Sequence, residues 1–429
     1  MRNNRMLGCM LLIATYLASC AVPFGPNALQ QNASATSTVL LLGKQATSPV
    51  SESPQLISTV TANIASRTTP AATRRVNLQA VGDMMFARTV GKQILDKGPG
   101  IVFGGVQSIF DSADVLVGNL ECALTTSGVP QAKSYTFAAP PEAAQALAMA
   151  GFDIVSLANN HAMDFGIQGL ADSLDNLRKA GIMGVGAGAN ATAAHAPVIL
   201  ERNGLRLAFL AYVDVPAEKE GFDARSWIAT DTQPGIAWAD PAQIAIDVTA
   251  AKELADIVIV QLHSGYEISA FIPALSPNQR TAAHAAIDAG AALVLGSHSH
   301  VLQPIEEYHG GLIAYSLGNF VFDGYQGIVN ATIILRVILN PAGVESYDWV
   351  PVLIENGLPQ LSTNEDVPAI GTMIAPIKPV EASTLTPTAT FMAICTPPRC
   401  AIGTSETYYC PGVCPAGCGT TCATYTPTP

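Results

Sequence analysis

Charged residues are scarce in this sequence, and basic residues are the scarcer kind. Asp, Glu, Lys and Arg make up 13% of the 429 residues, and the formal net charge at pH 7 is −12. Binding to the phosphate backbone of a nucleic acid needs an excess of Lys and Arg, which this chain lacks. The composition therefore argues against a nucleic-acid partner, while 49% of hydrophobic residues excludes a wholly disordered protein.

The apolar run near the N-terminus is too short to span a bilayer comfortably. It extends from Met6 to Leu17, follows Arg2 and Arg5, and precedes two small residues and Cys20. This order is typical of a secretory signal over residues 1–20, and its end resembles the lipobox of bacterial lipoproteins. We expect lipid attachment to Cys20 and anchoring to the outside of the cell membrane. An ordinary secretory signal is the alternative, and it also predicts an extracytoplasmic protein.

Cysteine is nearly absent from the middle of the chain and concentrated at its end. Cys122 stands alone in the central region. Outside the cytoplasm, several cysteines in a short tract indicate a small disulfide-rich C-terminal module, here residues 395–429, whose pairing the spacing leaves open. A zinc site is the weaker alternative because no C-x-x-C pair occurs. The six cysteines of this module are Cys395, Cys400, Cys410, Cys414, Cys418 and Cys422.

Two stretches of biased composition flank the central region. Residues 21–75 are rich in Ser, Thr, Ala and Asn, and residues 362–394 are rich in Thr and Pro. Such sequences bury too little apolar surface to fold by themselves. We therefore expect a flexible tether over residues 21–75, a folded domain over residues 76–361 and a linker over residues 362–394.

Strand-like and helix-like segments alternate through the central region, which is typical of a layered α/β domain. Ser276 and Asp240 each precede a proline and predict helix starts, with an N-cap residue and Pro at the first helical position. Leucines at helical spacing predict another helix within residues 166–181. Asn203 followed by glycine between apolar runs predicts a hairpin, so part of the sheet should be antiparallel.

Polar side chains able to bind metals follow five of the strand-like runs, at the point where each run ends. Because the carboxyl ends of parallel strands meet at one edge of a sheet, we expect these groups to lie close together. Imidazoles combined with carboxylates suit Mn, Zn or Fe rather than an all-oxygen calcium site. The candidate residues at these ends are Asp83, Glu121, Asn160, His161, His263, His298 and His300.

Each of these residues also has an ordinary structural interpretation. Asp83, which follows a glycine, fits a turn or helix cap, His263 fits a structural histidine, and His298 and His300 fit a solvated loop. Coincidence at five separate strand ends is less plausible than one shared site, which favours the metal interpretation. The remaining histidines lack such a setting and are expected to be structural or exposed; they are His195, His284 and His309.

Six motifs resemble, in the right order, those of the bacterial capsule synthesis protein CapA family, called PgsA in poly-γ-glutamate producers. They lie within residues 76–323, so the tether and the cysteine-rich tail fall outside the resemblance. The motifs are GDMMFAR (Gly82–Arg88), NLECALT (Asn119–Thr125), ANNHAMDFG (Ala158–Gly166), HSGYE (His263–Glu267), GSHSHVLQPIE (Gly296–Glu306) and YSLGNFVFD (Tyr315–Asp323).

The resemblance implies a calcineurin-like metallophosphoesterase fold, in which two mixed β-sheets form a sandwich flanked by helices and two metals lie at strand ends. By this likeness Asp83 is the first ligand, Glu121 is the bridging carboxylate, and Asn160 binds metal. His161 then contacts the substrate. The later histidine ligands of the family correspond to His263, His298 and His300.

The sequence departs from the phosphoesterase pattern at the second ligand position. The first family motif is Asp-x-His, and Met85 occupies the histidine position. The site is then either mononuclear or completed by Glu267 or Asp164. Smaller departures affect substrate contacts: Ser264 replaces a usual Trp, and Ser299 replaces a frequent Pro.

One or two divalent ions (Mn, Zn or Fe) would activate water and polarise the oxygen of the electrophile. His161 is then the candidate general acid, and Arg88 is a candidate clamp for an anionic substrate. The alternative for Arg88 is a surface cation on the following helix. Asn319 and Gln303 are expected to orient ligands or loops, and Cys122 to be a small buried hydrophobe.

The family resemblance implies a cell-envelope lipoprotein of poly-γ-glutamate or capsule biosynthesis, whose metal centre processes or transfers the polymer. Its expected partners are an anionic polymer such as poly-γ-glutamate, the capsule synthesis and export proteins, and the membrane through the lipid anchor. Two alternatives remain open at this point. One is an extracytoplasmic metal-dependent phosphoesterase acting on a phosphate ester, and the other is a non-catalytic, metal-stabilised anchor of a capsule export complex.

Overall fold

The computed structural model describes residues 74–215, 218, 221–267, 274–363 and 369–377. The expected signal with Cys20, nearly all of the tether, the end of the linker and the disulfide-rich module lie outside these residues. What was inferred about them from the sequence stays a prediction.

The described residues form eighteen strands and eight α-helices that alternate along most of the chain. The strands are β1 (Val76–Met84), β2 (Val115–Leu120), β3 (Ala123–Leu124), β4 (Ala138–Ala139), β5 (Ile154–Ser156), β6 (Met183–Val185), β7 (Ala187–Gly188), β8 (Val198–Arg202), β9 (Leu205–Asp214), β10 (Gly235–Ile236), β11 (Ile257–Ser264), β12 (Leu293–Ser297), β13 (Ile305–Tyr308), β14 (Gly311–Ala314), β15 (Asn319–Val321), β16 (Ala331–Asn340), β17 (Gly343–Glu355) and β18 (Leu358–Leu361). The helices are α1 (Arg88–Lys97), α2 (Gln107–Phe110), α3 (Glu142–Ala150), α4 (Gly166–Lys179), α5 (Ala191–His195), α6 (Pro241–Lys252), α7 (Pro277–Asp288) and α8 (Ala369–Met373).

The first large sheet has eight strands and mixed directions. Its strand order is β18-β17-β16-β1-β2-β5-β6, and β15 also pairs with β1. β1, β2, β5 and β6 are parallel to one another, whereas β16, β17 and β18 continue the sheet in antiparallel pairs. The parallel half of this sheet therefore has the carboxyl ends of four strands at one edge.

The second large sheet has six strands in the order β13-β14-β12-β11-β9-β8. Its central strands β9, β11, β12 and β14 are parallel, and antiparallel strands close both ends. Two small two-stranded sheets, β7 with β10 and β3 with β4, complete the described strands. The expectation of two mixed sheets with helices is confirmed.

The two large sheets share one hydrophobic core. In β9, Leu207 and Phe209 belong to the same cluster of buried side chains as Leu78 of the first sheet. Alternate residues of β9, such as Leu210, belong to a second cluster formed with α6 and α7. Because both faces of β9 are covered, its sequence is apolar at nearly every position rather than alternating.

Capping residues define the helices on the outer face of the second sheet. The side chain of Asp240 accepts hydrogen bonds from the backbone N–H groups of residues 242 and 243 at the start of α6. At the start of α7, Ser276 and Gln279 form a reciprocal capping box. Both helix starts agree with the sequence prediction, and so does the predicted helix within residues 166–181, observed as α4.

The predicted hairpin joins β8 and β9, which pair in antiparallel register. Its two turn residues, Asn203 and Gly204, have φ angles of 50° and 76°. Two consecutive residues with positive φ are the requirement of a type I′ turn, which Asn-Gly satisfies with little strain.

Two glycines allow backbone segments to approach each other beside the candidate site. A Cβ atom at Gly82 would lie 1.9 Å from the carbonyl oxygen of Gly318, and one at Gly296 would lie 1.9 Å from that of Tyr315. Any other residue would displace the neighbouring backbone. These glycines therefore hold the ends of β1 and β12 close to the segment that leads into β15.

The folded domain extends beyond residue 361, where the sequence predicted a linker. Ile370 and Ile374 are buried in the first hydrophobic cluster, and Ile377 forms a β-bridge with Glu306 of β13. The prediction of a linker followed the Thr/Pro-rich composition and overlooked these three isoleucines, which pack against the hydrophobic core. Among the described residues, none of the helices combines the length and hydropathy needed to cross a bilayer.

Candidate metal centre

The ends of neighbouring strands bring five of the candidate ligands together. Asp83 lies in β1, and Glu121 directly follows β2, its parallel neighbour. His263 lies in β11, while His298 and His300 follow β12, which pairs with β11 in parallel. The carboxyl ends of both parallel segments thus meet at one place between the sheets.

Two overlapping groups of these side chains could each hold a metal ion. One consists of Glu121, His263 and His298, and the other of Asp83, Glu121 and His300. Within each group the ligand atoms lie within 4.8 Å of one another, and all five side chains are buried. Glu121 belongs to both groups, so its carboxylate is in position to bridge two ions.

Asn160 adds an amide oxygen to the first group. Its Oδ1 atom lies 2.8 Å from Nε2 of His263. Its Nδ2 atom donates a hydrogen bond of 2.9 Å to Glu218, which fixes which end of the amide faces the histidine. An amide oxygen held in this direction can act as a ligand, because its lone pairs point into the centre.

The electrostatics of this centre fit a bound cation. Burial raises the pKa of Glu121 well above its usual value, and the charge of Asp83 raises it further. Burial also raises the pKa of Asp83 and lowers the pKa values of His263 and His298. Neither oxygen of Glu121 has a hydrogen-bond partner among the described residues, and Nδ1 of His298 also lacks one. Buried carboxylates and neutral imidazoles are the donors that a cation such as Mn, Zn or Fe requires.

Hydrogen bonds behind the rings orient two of the histidines. Nδ1 of His263 lies 2.8 Å from the hydroxyl of Ser297, and Nδ1 of His300 lies 2.8 Å from Oδ1 of Asn319. Both rings therefore present Nε2 to Glu121, at 3.8 Å for His263 and 3.9 Å for His300. Contacts of this kind fix the tautomer and direction of a ligating imidazole. Asn319, which was predicted to orient ligands or loops, thus contacts the ring of a candidate ligand.

Asn119 is an orienting residue that the sequence analysis missed. Its Nδ2 atom donates a hydrogen bond of 2.8 Å to Asp83 and lies 3.2 Å from Nδ1 of His263. The available signal was its place at the end of β2, two residues before Glu121. Gln303, which was predicted to orient ligands or loops, donates a hydrogen bond of 3.1 Å to the carbonyl oxygen of Ala274 in the loop before α7 and accepts one of 2.8 Å from Gln279 of that helix.

Met85 contributes no ligand in place of the expected histidine. Its side chain is fully buried in the hydrophobic core, and its sulfur lies 3.1 Å from the N–H group of Ala87. Of the two residues considered as replacements, Asp164 belongs to neither group of candidate ligands. Glu267 is exposed and lines the cavity, and its charge raises the pKa of Glu121.

Backbone strain is concentrated at two of the histidines. His298 and His300 have φ angles of 91° and 57°, which residues other than glycine rarely adopt. Such conformations cost about 1–3 kcal/mol each and persist where the surrounding structure enforces them. With this backbone conformation, both imidazoles of the Ser-His-Ser-His segment contribute to the groups of candidate ligands.

His161 lies beside the candidate ligands and has its own carboxylate partner. Its Nδ1 atom is 2.7 Å from Oδ2 of Asp164, and its ring stacks on Phe137 with 4.3 Å between ring centroids. The residue lines the cavity, and its Nε2 atom has no partner among the described residues. A histidine fixed in this way can hold a proton on Nε2 for transfer to a bound molecule.

Arg88 lies near His161, against the same Phe137 ring, and its guanidinium already contacts other side chains of the protein. Its guanidinium forms an ion pair of 2.5 Å with Asp323 and lies 5.0 Å from the ring centroid of Phe137. Its side chain is 40% exposed. A role as a substrate clamp stays a prediction, and it would require the guanidinium to serve Asp323 and the substrate together.

Lys133 is a buried cation that the sequence analysis did not single out. Its side chain is fully buried, and its ammonium group lies 2.8 Å from a carboxylate oxygen of Asp164 and 2.8 Å from one of Glu218. It also donates to the carbonyl oxygen of Asn160. The sequence offers no periodic or motif signal for this residue, because its partners come from distant segments.

A cavity of about 630 Å³ opens over the candidate ligands. Its wall includes Asn160, His161, His298 and His300. The wall also carries three carboxylates, whereas Lys and Arg are absent from its described lining. The remaining polar and charged lining residues include Ser134, Tyr135, Asp214, Glu218, Tyr266, Glu267, Ser276 and Asn278.

The fold has distant likenesses among solved structures. One is the crystal structure of a novel phosphatase from Mycoplasma pneumoniae, with a TM-score of 0.41 and 12% sequence identity. The match covers 66% of this chain and 94% of that chain. At this TM-score the likeness carries no conclusion about activity.

Sequence relatives are much closer. The PGA biosynthesis protein CapA of Bacillus subtilis (strain 168) is 36% identical over 284 residues, which cover 65% of this chain and 72% of the relative. The capsule biosynthesis protein CapA of Bacillus anthracis is 33% identical over 298 residues, which cover 68% and 70%. The family model described as bacterial capsule synthesis protein PGA_cap matches residues 77–324, the part of the chain that holds every candidate ligand. The chain belongs to the bacterial capsule synthesis protein family.

Proposed function

We propose that this protein is an accessory protein of poly-γ-glutamate capsule synthesis that processes or transfers the polymer at a divalent-metal centre. The observation that carries the proposal is the meeting of Asp83, Glu121, His263, His298 and His300 at one buried point beside His161. The polymer is inferred from the Bacillus relatives, which are a PGA biosynthesis protein and a capsule biosynthesis protein. The five side chains supply the chemistry.

The residues that would hold the ions divide between two positions. Glu121 with His263, His298 and Asn160 would hold one, and Asp83 with Glu121 and His300 would hold the other. A bound cation would act as a Lewis acid that polarises the bond to be cleaved and lowers the pKa of water. The second position has one ligand fewer because Met85 replaces a histidine. We therefore expect it to bind its ion more weakly.

His161 is the proposed proton donor. Hydrolysis of an amide forms a bond between the carbonyl carbon and the oxygen of water and breaks the bond between carbon and nitrogen, and the departing nitrogen takes up a proton. Nε2 of His161 faces the cavity and can deliver that proton, while Asp164 holds Nδ1 and stabilises the charged ring. Phe137, stacked on the imidazole, restricts its rotation.

The site of action that we propose is the outer surface of the cell membrane. The N-terminal segment with Cys20 has the order of a lipoprotein signal. A lipid on Cys20 would hold the domain near the export machinery of the capsule. We also propose that this protein is related to the metallophosphoesterases. The types of candidate ligand and their order along the chain support this relation.

The test uses the purified full chain, loaded with Mn²⁺ and incubated with poly-γ-glutamate. We expect the length distribution of the polymer to change, and His161→Ala to abolish the change while binding Mn²⁺ as the parent does. The matched control is His309→Ala, because His309 is exposed and pairs only with Asp288 at the surface. An unchanged polymer at every cation tested would remove the processing function.

Two other results would redirect the function. Release of phosphate from p-nitrophenyl phosphate, lost in His298→Ala, would indicate a phosphoesterase. Normal capsule formation by His161→Ala in a producing strain that lacks its own relative would indicate a non-catalytic anchor. Testing His298→Ala and His161→Ala in both assays separates the three functions.

A further inference from the structure

The buried ammonium group of Lys133 joins two series of contacts that end at the metal centre, each made of one ion pair and one hydrogen bond. One series runs from Lys133 to Asp164 and then to Nδ1 of His161, with distances of 2.8 Å and 2.7 Å. The other runs from Lys133 to Glu218 and then to Nδ2 of Asn160, with distances of 2.8 Å and 2.9 Å. The ammonium group of Lys133 therefore contacts both carboxylates that hold these residues, one beside the proposed proton donor and one beside a proposed metal ligand.

The surroundings of Lys133 compensate for the cost of burying its charge. Transfer of an ammonium group from water into a protein costs several kcal/mol unless its three donors have partners. Here the ammonium group contacts two carboxylates and the carbonyl oxygen of Asn160. The rings of Phe222 and Trp227 add cation–π contacts at 5.1 Å and 4.9 Å. A buried lysine with this set of partners is held in one position.

The position of Lys133 matters because an amide has two different ends. Only the oxygen of Asn160 can bind a cation, and the two ends would exchange if the side chain rotated. Glu218 accepts from the nitrogen end, so the oxygen end lies 2.8 Å from Nε2 of His263. Two ligand atoms that are each about 2.0–2.2 Å from one cation lie about 3.0–3.5 Å apart, so binding would require these two atoms to separate by only a few tenths of an ångström.

We propose that Lys133 is a positioning residue that fixes the Asn160 amide and the His161 ring together, and that its contacts with Phe222 and Trp227 hold residues 221–227 in place. The proposal rests on the metal centre of the proposed function. Lys133 contributes no atom to the cavity lining, so it acts only through Asp164, Glu218 and Asn160. It thereby couples the geometry of the cation ligand to that of the proton donor.

The first test measures cation binding to the full chain. Lys133→Met keeps an unbranched side chain only one atom shorter and removes its charge. We expect it to weaken Mn²⁺ binding at the tighter position by about 10-fold or more, as loss of a residue that orients a ligand does. Lys133→Arg, which keeps the charge, should recover part of the affinity. The control is Lys92→Met, because Lys92 is exposed on α1 and pairs only with Asp96.

A second variant separates the two series of contacts. Glu218→Ala removes the acceptor of the Asn160 amide at a partly exposed side chain and leaves the ion pair between Lys133 and Asp164 in place. We expect it to weaken Mn²⁺ binding in the same direction as Lys133→Met. Unchanged Mn²⁺ affinity in Glu218→Ala would overturn the proposal that Lys133 orients Asn160 through Glu218.

The third measurement needs no cation. Hydrogen exchange of residues 221–227 in EDTA should be faster in Lys133→Met than in the parent chain, because the aromatic and carboxylate contacts of the ammonium are lost. If the parent binds no Mn²⁺, the proposed metal centre fails, and the exchange rates still decide whether Lys133 ties this segment. Equal exchange and equal Mn²⁺ affinity in Lys133→Met and the parent would overturn the positioning role.

Discussion

An oxygen of Glu121 lies 3.8 Å from Nε2 of His263, and no N–H group of the described residues donates to this carboxylate. Because Glu121 belongs to both groups of candidate ligands, Glu121→Gln should abolish cation binding at both positions. His300→Ala should remove only the position that it shares with Asp83. The number of Mn²⁺ ions bound per chain after equilibrium dialysis distinguishes these outcomes.

Retention of the parental Mn²⁺ stoichiometry by Glu121→Gln would contradict the bridging role. His309→Ala is again the matched control, since it removes an imidazole from the surface. Circular dichroism of each variant checks that a lost ion does not reflect a lost fold.

The pH dependence of cation binding follows from the carboxyl groups. Because burial raises the pKa values of Asp83 and Glu121, the cation-free fold holds protons there at pH values where free carboxyl groups have lost them. These groups stabilise the cation-free fold at acidic pH, and that stability is lost as the pH rises through the raised pKa values. The pKa values of His263 and His298 are lowered, so these rings are already neutral and release no protons.

A cation should therefore stabilise the protein more at about pH 8 than at about pH 5.5, because it competes with fewer protons at the higher pH. The measurement is the shift of the unfolding temperature on addition of Mn²⁺ at the two pH values. A larger shift at the lower pH would show that the carboxyl protons do not compete with the ion.

The charge of the cavity wall predicts how a polyanion binds. Asp214, Glu218 and Glu267 line the cavity, and the described lining offers no Lys or Arg to oppose them. A carboxylate polymer should therefore bind weakly in EDTA and more tightly with Mn²⁺, and low salt should strengthen the repulsion in EDTA.

Glu267→Gln removes one exposed charge of this wall and should increase the affinity for poly-γ-glutamate several-fold at low salt. Glu253→Gln is the control, because Glu253 is exposed at the end of α6, outside the cavity lining. Fluorescence anisotropy of a labelled polymer measures both affinities. Equal affinity with and without Mn²⁺ would mean that the polymer binds elsewhere.

Cys122 should be chemically inert in the folded protein. Its side chain is fully buried, and burial raises the pKa of its thiol to about 12. At about pH 8.5 the reactive thiolate is therefore nearly absent, and iodoacetamide should modify this residue only after unfolding. Mass spectrometry of the peptide that contains Cys122 follows the reaction, and rapid modification of the folded chain would contradict the assigned burial.

Much of the local structure was readable from the sequence. The N-caps Ser276 and Asp240 mark helix starts because their side chains bond backbone groups two or three residues away. Asn203 marks the hairpin because its turn requires positive φ at consecutive residues. The polar strand ends predicted a shared site because parallel strands bring their carboxyl ends to one edge.

The partners of individual side chains were less accessible. Asp164 was considered as a possible ligand, but its carboxylate supports His161 and Lys133 instead. Arg88 meets Asp323, which lies 235 residues further along the chain. Whether a polar residue binds a cation, a substrate or another side chain depends on such long-range contacts.

The sequence by itself therefore determined the elements, the family motifs and the residue types available at the centre. Only the tertiary structure decided that Glu121 is common to two ligand groups, that Met85 turns into the core and that Lys133 lies behind both Asn160 and His161. Caps, turns and periodicity act over a few neighbouring residues, so a linear pattern records them. The packing of two sheets brings together residues from distant segments, and no local pattern specifies which side chains will meet there.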